Sequence, residues 1–287
     1  MKQRKTFRSL ITQNRYIVAP GAFDTLTARL VQLAGFEAVY LTGGGYSRAN
    51  GYPDLGLLTL TEIVRWIGLT AEAVDIPVIA DADTGYGNAL NVVRTVREFE
   101  KAGAAAFHLE DQLAPKKCGH YEGKQIVSAE EMIGKIKAAV DTRQDRDLVI
   151  IARSDARAVE GLDAAIERVN RYMEAGADMG FVEAPQSVEE LAQVGKRVQP
   201  AVANVFEGGK TPALASAELE RLGFRLGIYP SQTQRAAIYA INETLAVLKR
   251  DGDTKAIENR LATFADREDA VDSNRWRAIE TKFLENI

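Results

Sequence analysis

The sequence predicts an α/β protein, a (β/α)8 TIM-type barrel with extra C-terminal helices. Eight short apolar runs, rich in β-branched residues, alternate with longer amphipathic stretches from about residue 16 to about residue 250. Strands that are apolar on both faces indicate a parallel sheet, whose strands need helical crossovers between them. Eight strand–helix units in this length favour a closed barrel over an open doubly wound sheet.

The predicted elements follow one another with recognisable boundaries. The candidate strands are 16–19, 37–41, 77–81, 105–110, 148–153, 179–183, 201–204 and 226–229. Pairs with the spacing of a capping box mark three helix starts, namely Thr59 with Glu62, Ser128 with Glu131 and Ser187 with Glu190. Glycines that end a helical run before a strand are Gly35, Gly103, Gly176 and Gly223.

After residue 230 the sequence is mainly helical, with helices predicted at 231–250, 254–264 and 274–285. These helices exceed what eight barrel units need, and no Pro-, Gly- or Ser-rich linker separates them from the barrel. We therefore predict a single barrel domain over 1–287. Its helical C-terminal appendix, roughly 231–287, is of the kind that serves packing or exchange between subunits.

Composition and charge are those of an ordinary globular protein. The chain is 46% hydrophobic, and its net charge of −4 is not concentrated in a long block, so binding to nucleic acid or to a membrane surface is not expected. No apolar run approaches the roughly 18 residues that span a bilayer, and the basic start does not lead into a signal core. The single cysteine fits a reducing compartment. We expect a cytoplasmic protein with a small-molecule substrate.

Polar residues and glycines collect at the C-terminal ends of the predicted strands, where barrels of this type carry their active sites. They are Thr42, Gly43, Gly44, Asp81, Asp83, Glu110, Asp111, Arg153, Glu183 and Asn204. Any one of them alone would be interpreted as a capping or salt-bridging residue. Together they predict an active site at this end of the barrel.

A carboxylate cluster within this set predicts a metal site. Asp81 and Asp83 lie two apart on a strand, so we expect their side chains to leave the same face, joined by Glu110 and by Asp54 of the PDLG loop. Such carboxylates repel one another without a cation, and oxygen ligands suit Mg²⁺, with Mn²⁺ as a substitute. His108, inside apolar AAFHLE, is interpreted as a hydrogen-bonded core histidine.

The connection DQLAPKKCGHYEGKQIV after the fourth strand is long for a βα loop, which predicts a lid. It carries Cys118, which follows two lysines and precedes Gly119 and His120. Adjacent cations favour the thiolate, so Cys118 is a candidate for proton transfer or nucleophilic attack, the alternative being an incidental exposed thiol. The amides of Gly43 and Gly44 and the guanidinium of Arg153 suit a carboxylate. These features predict an enzyme for a small hydroxy or keto polyacid.

The motifs YLTGGG, DADTGYG, HLEDQ, KKCGH, IARSDA and VEAP together resemble the isocitrate lyase and phosphoenolpyruvate mutase superfamily over essentially the whole chain. KKCGH resembles its carbon–carbon lyase branch. FVEAP and ANVFEGGKTP are similar to the 2,3-dimethylmalate lyase group, whereas Arg235 and Arg267 fall where 2-methylisocitrate lyases bind substrate. Phe206 and Thr42 depart from the latter pattern. The resemblance leans to 2-methylisocitrate, with 2,3-dimethylmalate as the alternative.

The resemblance implies a Mg²⁺-dependent reverse aldol- or Claisen-type cleavage of a 2-hydroxy polycarboxylate to pyruvate and a second carboxylic acid. Asp83 is implied as the direct metal ligand, with Asp81, Asp54 and Glu110 acting largely through water. Tyr40 is implied to remove the hydroxyl proton, and Cys118 to protonate the departing fragment. Arg153 is implied as a further catalytic group, which stabilises the charge on that fragment. The groups implied to bind or orient substrate are Thr42, Gly43, Gly44, Gly119, His120, Glu183, Asn204, Arg235 and Arg267.

The resemblance also implies a homotetramer. Two alternatives stay open at this point. One is hydrolysis or decarboxylation of oxaloacetate at the same site. The other, from a different class, is a barrel that binds a dicarboxylate without turnover, although such a binder has no use for a proton donor in a lid.

Overall fold

The computed structural model describes residues 2–13, 15–119 and 121–284. Within them, eight parallel strands form a closed barrel in chain order, with β8 paired to β1. The strands are β1 Ile17–Ala22, β2 Val39–Leu41, β3 Val78–Asp81, β4 Ala106–Glu110, β5 Val149–Ser154, β6 Met179–Val182, β7 Ala201–Asn204 and β8 Phe224–Tyr229. Each overlaps a predicted strand. The prediction of a (β/α)8 barrel is confirmed.

Helices precede, connect and follow the strands. They are α1 Lys2–Thr12, α2 Thr25–Leu33, α3 Gly43–Ala49, α4 Leu60–Ala73, α5 Ala89–Ala102, α6 Ala129–Thr142, α7 Leu162–Glu174, α8 Val188–Arg197, α9 Ser216–Arg221, α10 Gln232–Asp251, α11 Phe264–Ala270 and α12 Ser273–Leu284. Short 3-10 helices lie at Ala156–Ala158 and Lys255–Arg260. None of these helices in the described residues is long and apolar enough to cross a bilayer.

The predicted helix boundaries have the expected caps. Thr59 and Glu62 form both halves of a capping box, with the Glu62 carboxylate accepting from the Thr59 N–H at 2.7 Å. Ser128 and Ser187 each accept from the N–H three residues on. The glycines predicted to end helices all have positive φ, from 85° to 113°, the left-handed conformation that favours glycine: Gly35, Gly103, Gly176 and Gly223.

Helix α1, which the sequence did not predict, closes the N-terminal end of the barrel. Its Phe7, Leu10 and Ile11 have helical spacing and pack into the same buried cluster as the barrel-interior residues. The buried Arg4 donates to the Ala104 carbonyl at 2.9 Å, just before β4. The opposite, C-terminal end of the barrel is left for a site.

The C-terminal appendix differs from prediction in one segment. The predicted helix over 254–264 is wrong, because this stretch holds a 3-10 helix, Lys255–Arg260, and a new α-helix begins at Phe264. The Thr263 hydroxyl accepts from the Asp266 N–H, and the Asp266 carboxylate accepts from the Thr263 N–H. This capping box starts α11 where the periodicity indicated the end of a helix.

Candidate active site

A cavity opens at the C-terminal end of the barrel. The predicted residues in its wall are Tyr40, Thr42, Gly44, Asp54, Asp81, Cys118, Gly119, Arg153, Glu183 and Asn204. Residues in its wall that the sequence did not assign to the site as binding groups include Arg48, Lys116, Phe206, Ile228, Pro230 and Ser231. His120 lies outside the described residues. Barrel closure thus brings together groups from six of the strand ends and from the Cys118 loop.

Asp81, the last residue of β3, organises the floor of the cavity. Its Oδ2 accepts from the Gly43 N–H at 3.2 Å and from the Tyr40 hydroxyl at 3.3 Å. The Tyr40 hydroxyl also lies 2.8 Å from His108 Nε2, as expected for a hydrogen-bonded core histidine. Burial would raise the pKa of Asp81, but the neighbouring His108 and Lys116 hold it below its usual range. Asp81 is therefore charged, and the Gly43 amide is already engaged by it.

Asp83 approaches the cluster differently from the prediction. The strand ends at Asp81, and Asp83 lies beyond it with φ of 46°, so the expected alternation along one strand is wrong. A turn orients the residue instead, since its N–H donates to Asp81 Oδ1 at 3.0 Å. Its carboxylate lines a neighbouring cleft with Thr84 and Tyr86.

Lys116 supplies the charge that the sequence assigned to a metal alone. Its ammonium lies 2.5 Å from Asp54 Oδ1 and 2.8 Å from Asp83 Oδ1. Burial would lower the pKa of Lys116, but Asp83 and Asp54 raise it well above its usual value. Burial, together with repulsion from Asp81 and Asp54, raises the pKa of Asp83 to about 6 in spite of Lys116. The cluster therefore carries more negative charge than this lysine neutralises.

The carboxylates fit a hard divalent cation bound by few protein ligands. Among the residues that the structure describes, no three His, Cys, Asp or Glu side chains form a ready-made ligand group. Yet Glu110 Oε1 is buried without a hydrogen-bond partner, and burial raises the pKa of Glu110 well above its usual range. Mg²⁺ commonly binds one or two carboxylates and keeps several waters, which suits this arrangement.

Arg153, near the end of β5, lies in the cavity wall among three carboxylates. Its Nη1 lies 3.2 Å from Glu110 Oε2, and its Nε donates to Asp155 Oδ2 at 2.9 Å. Its Nη2 lies 3.8 Å from Glu183, whose two carboxylate oxygens both accept from Asn204 Nδ2 at 3.2 Å. The guanidinium is thus fixed from three sides and presents one orientation to the cavity.

The segment between Leu113 and Gln125, here called the Cys118 loop, covers one side of the cavity. Its two ends are joined by backbone pairing, with the Leu113 N–H donating to the Gln125 carbonyl at 2.8 Å. Cys118 is half-buried in the cavity wall. A Cβ at Gly119 would lie 2.5 Å from Glu183 Oε1 and 2.7 Å from Arg153 Nη2. Glycine therefore permits the loop to approach Glu183 and Arg153 this closely.

The two predicted C-terminal arginines lie outside the cavity wall. The Arg235 side chain is 55% exposed, and its Nη1 donates to the Glu207 carbonyl at 3.0 Å. Arg267 lies on α11 and is also exposed.

Arg48 of α3, by contrast, does line the cavity, and its Nη1 donates to the Gly44 carbonyl at 2.9 Å. The sequence analysis did not predict a helix after Thr42, and this helix, which Thr42 caps, places Arg48 one turn beyond Gly44.

Comparison with known proteins gives concordant results. A family model described as phosphoenolpyruvate phosphomutase matches residues 7–249. The chain is 47% identical over 285 residues to 2,3-dimethylmalate lyase of Eubacterium barkeri, and the alignment covers 99% of each chain. It is 46% identical over 257 residues to 2-methylisocitrate lyase of Aeropyrum pernix, covering 89% of this chain and 83% of that one. A crystal structure of phosphonopyruvate hydrolase with oxalate and Mg²⁺ matches with a TM-score of 0.90 at 32% identity, covering 99% of this chain and 100% of the other.

Proposed function

The chain belongs to the phosphoenolpyruvate mutase and isocitrate lyase superfamily and is a carbon–carbon lyase, and we propose that it cleaves an alkyl-substituted 2-hydroxydicarboxylate of the 2,3-dimethylmalate class. The products are pyruvate and a second monocarboxylic acid, which is propionate for 2,3-dimethylmalate itself. The reaction is a reverse aldol- or Claisen-type cleavage of the bond between C2 and C3.

The choice of 2,3-dimethylmalate as substrate rests on the apolar part of the cavity wall. Phe206, Ile228 and Pro230 line the cavity together with the charged groups. Methyl groups of an alkylated malate gain from burial against such a surface, whereas a third carboxylate placed there would lose its hydration. Arg235 and Arg267, the cations that a tricarboxylate would use, lie outside this wall. The geometry therefore favours a dicarboxylate, although the sequence pattern leaned to 2-methylisocitrate.

Mg²⁺, for which Mn²⁺ can substitute, would be held by Asp83, with Asp81, Asp54 and Glu110 acting largely through water, and would supply Lewis-acid polarisation of the substrate oxygens. Burial raises the pKa of Tyr40 well above its usual value, so this hydroxyl is protonated at neutral pH. Tyr40 Oη can accept the substrate hydroxyl proton only as its own proton passes on, and His108 Nε2 lies 2.8 Å away to receive it.

The remaining residues act on the fragment that leaves. When the C2–C3 bond breaks, its electron pair stays on C3, as a carbanion that the adjacent carboxylate stabilises. The guanidinium of Arg153 and the Glu183–Asn204 pair bind and orient that carboxylate. Cys118 Sγ then gives its proton to C3 while the Cys118 loop excludes water.

The proposal is tested with a substrate panel. The protein is incubated with Mg²⁺ and 2,3-dimethylmalate, 2-methylisocitrate or oxaloacetate, and pyruvate is followed with lactate dehydrogenase and NADH. We expect kcat/KM to be at least about tenfold higher for 2,3-dimethylmalate, and EDTA to abolish turnover until Mg²⁺ is restored. A preference for 2-methylisocitrate would contradict the substrate assignment, and tight Mg²⁺-dependent binding without turnover of any compound would contradict the lyase mechanism.

A second candidate substrate is 2-methylisocitrate. Arg235 is four residues along from Ser231, which lines the cavity, so a small movement of this exposed side chain would add a cation at the rim. The variant Phe206→Ser tests what separates the two candidates. We expect the ratio of kcat/KM for 2-methylisocitrate over 2,3-dimethylmalate to rise about tenfold, since the hydroxyl accommodates a carboxylate better than a phenyl ring does. An unchanged ratio would show that Phe206 does not select the substrate.

We propose that the protein is a cytoplasmic homotetramer in which the C-terminal helices are exchanged. Large apolar side chains exposed on these helices support assembly, namely Tyr239, Phe264, Trp276 and Phe283. Light scattering coupled to size-exclusion chromatography should give four times the 31.4 kDa mass of one chain. A monomer mass would contradict the proposal.

A further inference from the structure

We propose that Lys124 is a positioning residue whose buried ammonium holds the Cys118 loop against Arg153 by way of Asp155. The consequence for catalysis rests on the function proposed above, but the docking of the loop does not. Lys124 was not among the residues that the sequence assigned to the site. It is distinct from Lys116, which ties the same loop to the carboxylate cluster on the other side.

The contacts of Lys124 join three separate pieces of backbone. Its side chain is only 1% exposed, and its Nζ lies 2.7 Å from Asp155 Oδ1. The same ammonium donates to the Gly119 carbonyl. Because Lys124 and Gly119 lie on opposite arms of the Cys118 loop, one cation closes the loop on itself and fastens it to the end of β5.

Asp155 is a rigid anchor for this cation. It is fully buried, and its Oδ2 accepts from Arg153 Nε at 2.9 Å. Its N–H donates to Asp111 Oδ1 at 2.9 Å, and the other oxygen of Asp111 accepts from Ser154 Oγ at 2.7 Å. Asp155 therefore pairs simultaneously with the substrate-binding guanidinium and with the loop lysine, on a base of buried hydrogen bonds in the barrel wall.

The attachment by Lys124 places Gly119 directly against the Arg153 and Glu183 side chains. No room is left there for a Cβ, so the docked loop is in contact with the groups proposed to bind substrate. Cys118, one residue earlier, lies in the cavity wall as a result. The contact of Lys117 Nζ with the Gly123 carbonyl, in contrast, stays within the loop and is exposed.

Removing one partner of a buried ion pair leaves the other charge uncompensated, so loss of the Lys124 ammonium should release the loop from Asp155. The single cysteine of the chain then reports the release directly. When the loop lifts, the Cys118 thiol becomes more accessible to an alkylating reagent, whether or not any substrate is turned over.

The experiment measures the rate at which iodoacetamide alkylates Cys118 in Lys124→Met. The rates are compared at the high-pH plateau, where the thiol is fully ionised and the rate reports its accessibility. We expect a rate at least tenfold above that of the wild type, and in the lyase assay a kcat that falls by more than KM rises. The matched control is Lys135→Met, which removes another buried ammonium, one on α6 that donates to the Thr84 carbonyl at 3.1 Å. Whatever the change in its thermal midpoint, its alkylation rate should stay within twofold of the wild type.

An alkylation rate in folded Lys124→Met within twofold of the wild type would overturn the proposal, as would an equal increase in Lys135→Met. If Lys124→Met does not fold, Asp155→Asn breaks the same ion pair from the other side and must raise the rate tenfold. Gly119→Ala provides a positive control, since its Cβ leaves no room for the docked loop. Failure of the substrate panel would leave these rates unaffected, so the two proposals fail separately.

Discussion

Cys118 reaches the active-site cavity from a loop, whereas Arg153, Glu183 and Asn204 come from strand ends or the residue after them. Arg153, Glu183 and Asn204 are thus fixed by the sheet, whereas Cys118 is held in place by the contacts of the loop that carries it. In the mechanism proposed above, docking of this loop would bring the proton donor to the carbanion and exclude water at the same time.

For the residue Cys118 we predict that Cys118→Ser lowers kcat by about 10² or more, the scale expected for the loss of a positioned acid. The substitution changes one atom, so Mg²⁺ binding should persist. Pyruvate release and calorimetric titration with Mg²⁺ measure the two effects separately. Turnover close to the wild-type rate would exclude Cys118 as the proton donor.

Asp155 gives a prediction for pH-dependent stability. Burial would raise the pKa of Asp155, but Arg153 and Lys124 lower it to about 2. A carboxyl whose pKa is lower in the folded state stabilises the fold above its unfolded pKa, near 4, and this contribution is lost as the pH falls through about 2. The shift corresponds to about 2 kcal/mol.

Denaturant unfolding of the wild type and of Asp155→Asn measures that contribution. The free energy of unfolding should differ by at least about 2 kcal/mol at pH 6, and the difference should narrow between pH 4 and pH 2. A difference that stays constant over this range would mean that the Asp155 charge does not stabilise the fold.

At the scale of elements, helix boundaries depend on side chains that cap backbone groups. Thr59 satisfies the Glu62 N–H, and the Glu62 carboxylate satisfies the Thr59 N–H in return. Both groups would otherwise lack partners at the start of α4. The same device at Thr263 and Asp266 starts α11 in a stretch where apolar periodicity gave the wrong boundary.

The prediction at this scale is that Thr59→Ala lowers the free energy of unfolding by about 1 kcal/mol, because it removes the hydroxyl half of the box. Thr59→Ser keeps the acceptor and serves as the control, with an expected change within a few tenths of a kcal/mol. Chemical denaturation of the three proteins provides the comparison. Equal stability of Thr59→Ala and the wild type would contradict a capping role.

At the scale of the whole molecule, α1 and the active site occupy opposite ends of the barrel. Phe7 is 0% exposed and joins the cluster that fills the barrel interior. Helix α1 therefore closes the N-terminal end of the barrel interior, and the polar groups at the C-terminal end line the open cavity. Stability and chemistry are separated along the barrel axis.

We predict that Phe7→Ala lowers the free energy of unfolding by about 3–5 kcal/mol, the usual cost of truncating a fully buried phenylalanine. Leu90→Ala is the control, since Leu90 is 79% exposed on α5 and should cost less than about 0.5 kcal/mol. Urea unfolding monitored by circular dichroism gives both values. A small effect of Phe7→Ala would mean that α1 does not complete the core.

The sequence by itself determined the barrel. Strand and helix periodicity and glycine caps are local patterns, which can be recognised without knowing which distant residues are in contact. It also predicted the end of the barrel at which the cavity opens, since parallel strands in a barrel present their C-terminal ends together. Asp81 and Arg153 were predicted in this way, whereas Cys118 was predicted from its cationic neighbours in a long loop.

Only the tertiary structure decided how the charges pair. Lys116 lies between Asp54 and Asp83, and Lys124 pairs with Asp155, yet in the sequence each lysine is merely a charged residue of a polar loop. Arg235, by contrast, pairs with Glu207 outside the cavity wall. These partners come from segments that barrel closure alone brings together, and the free energy of a buried charge depends on the partner that it meets there.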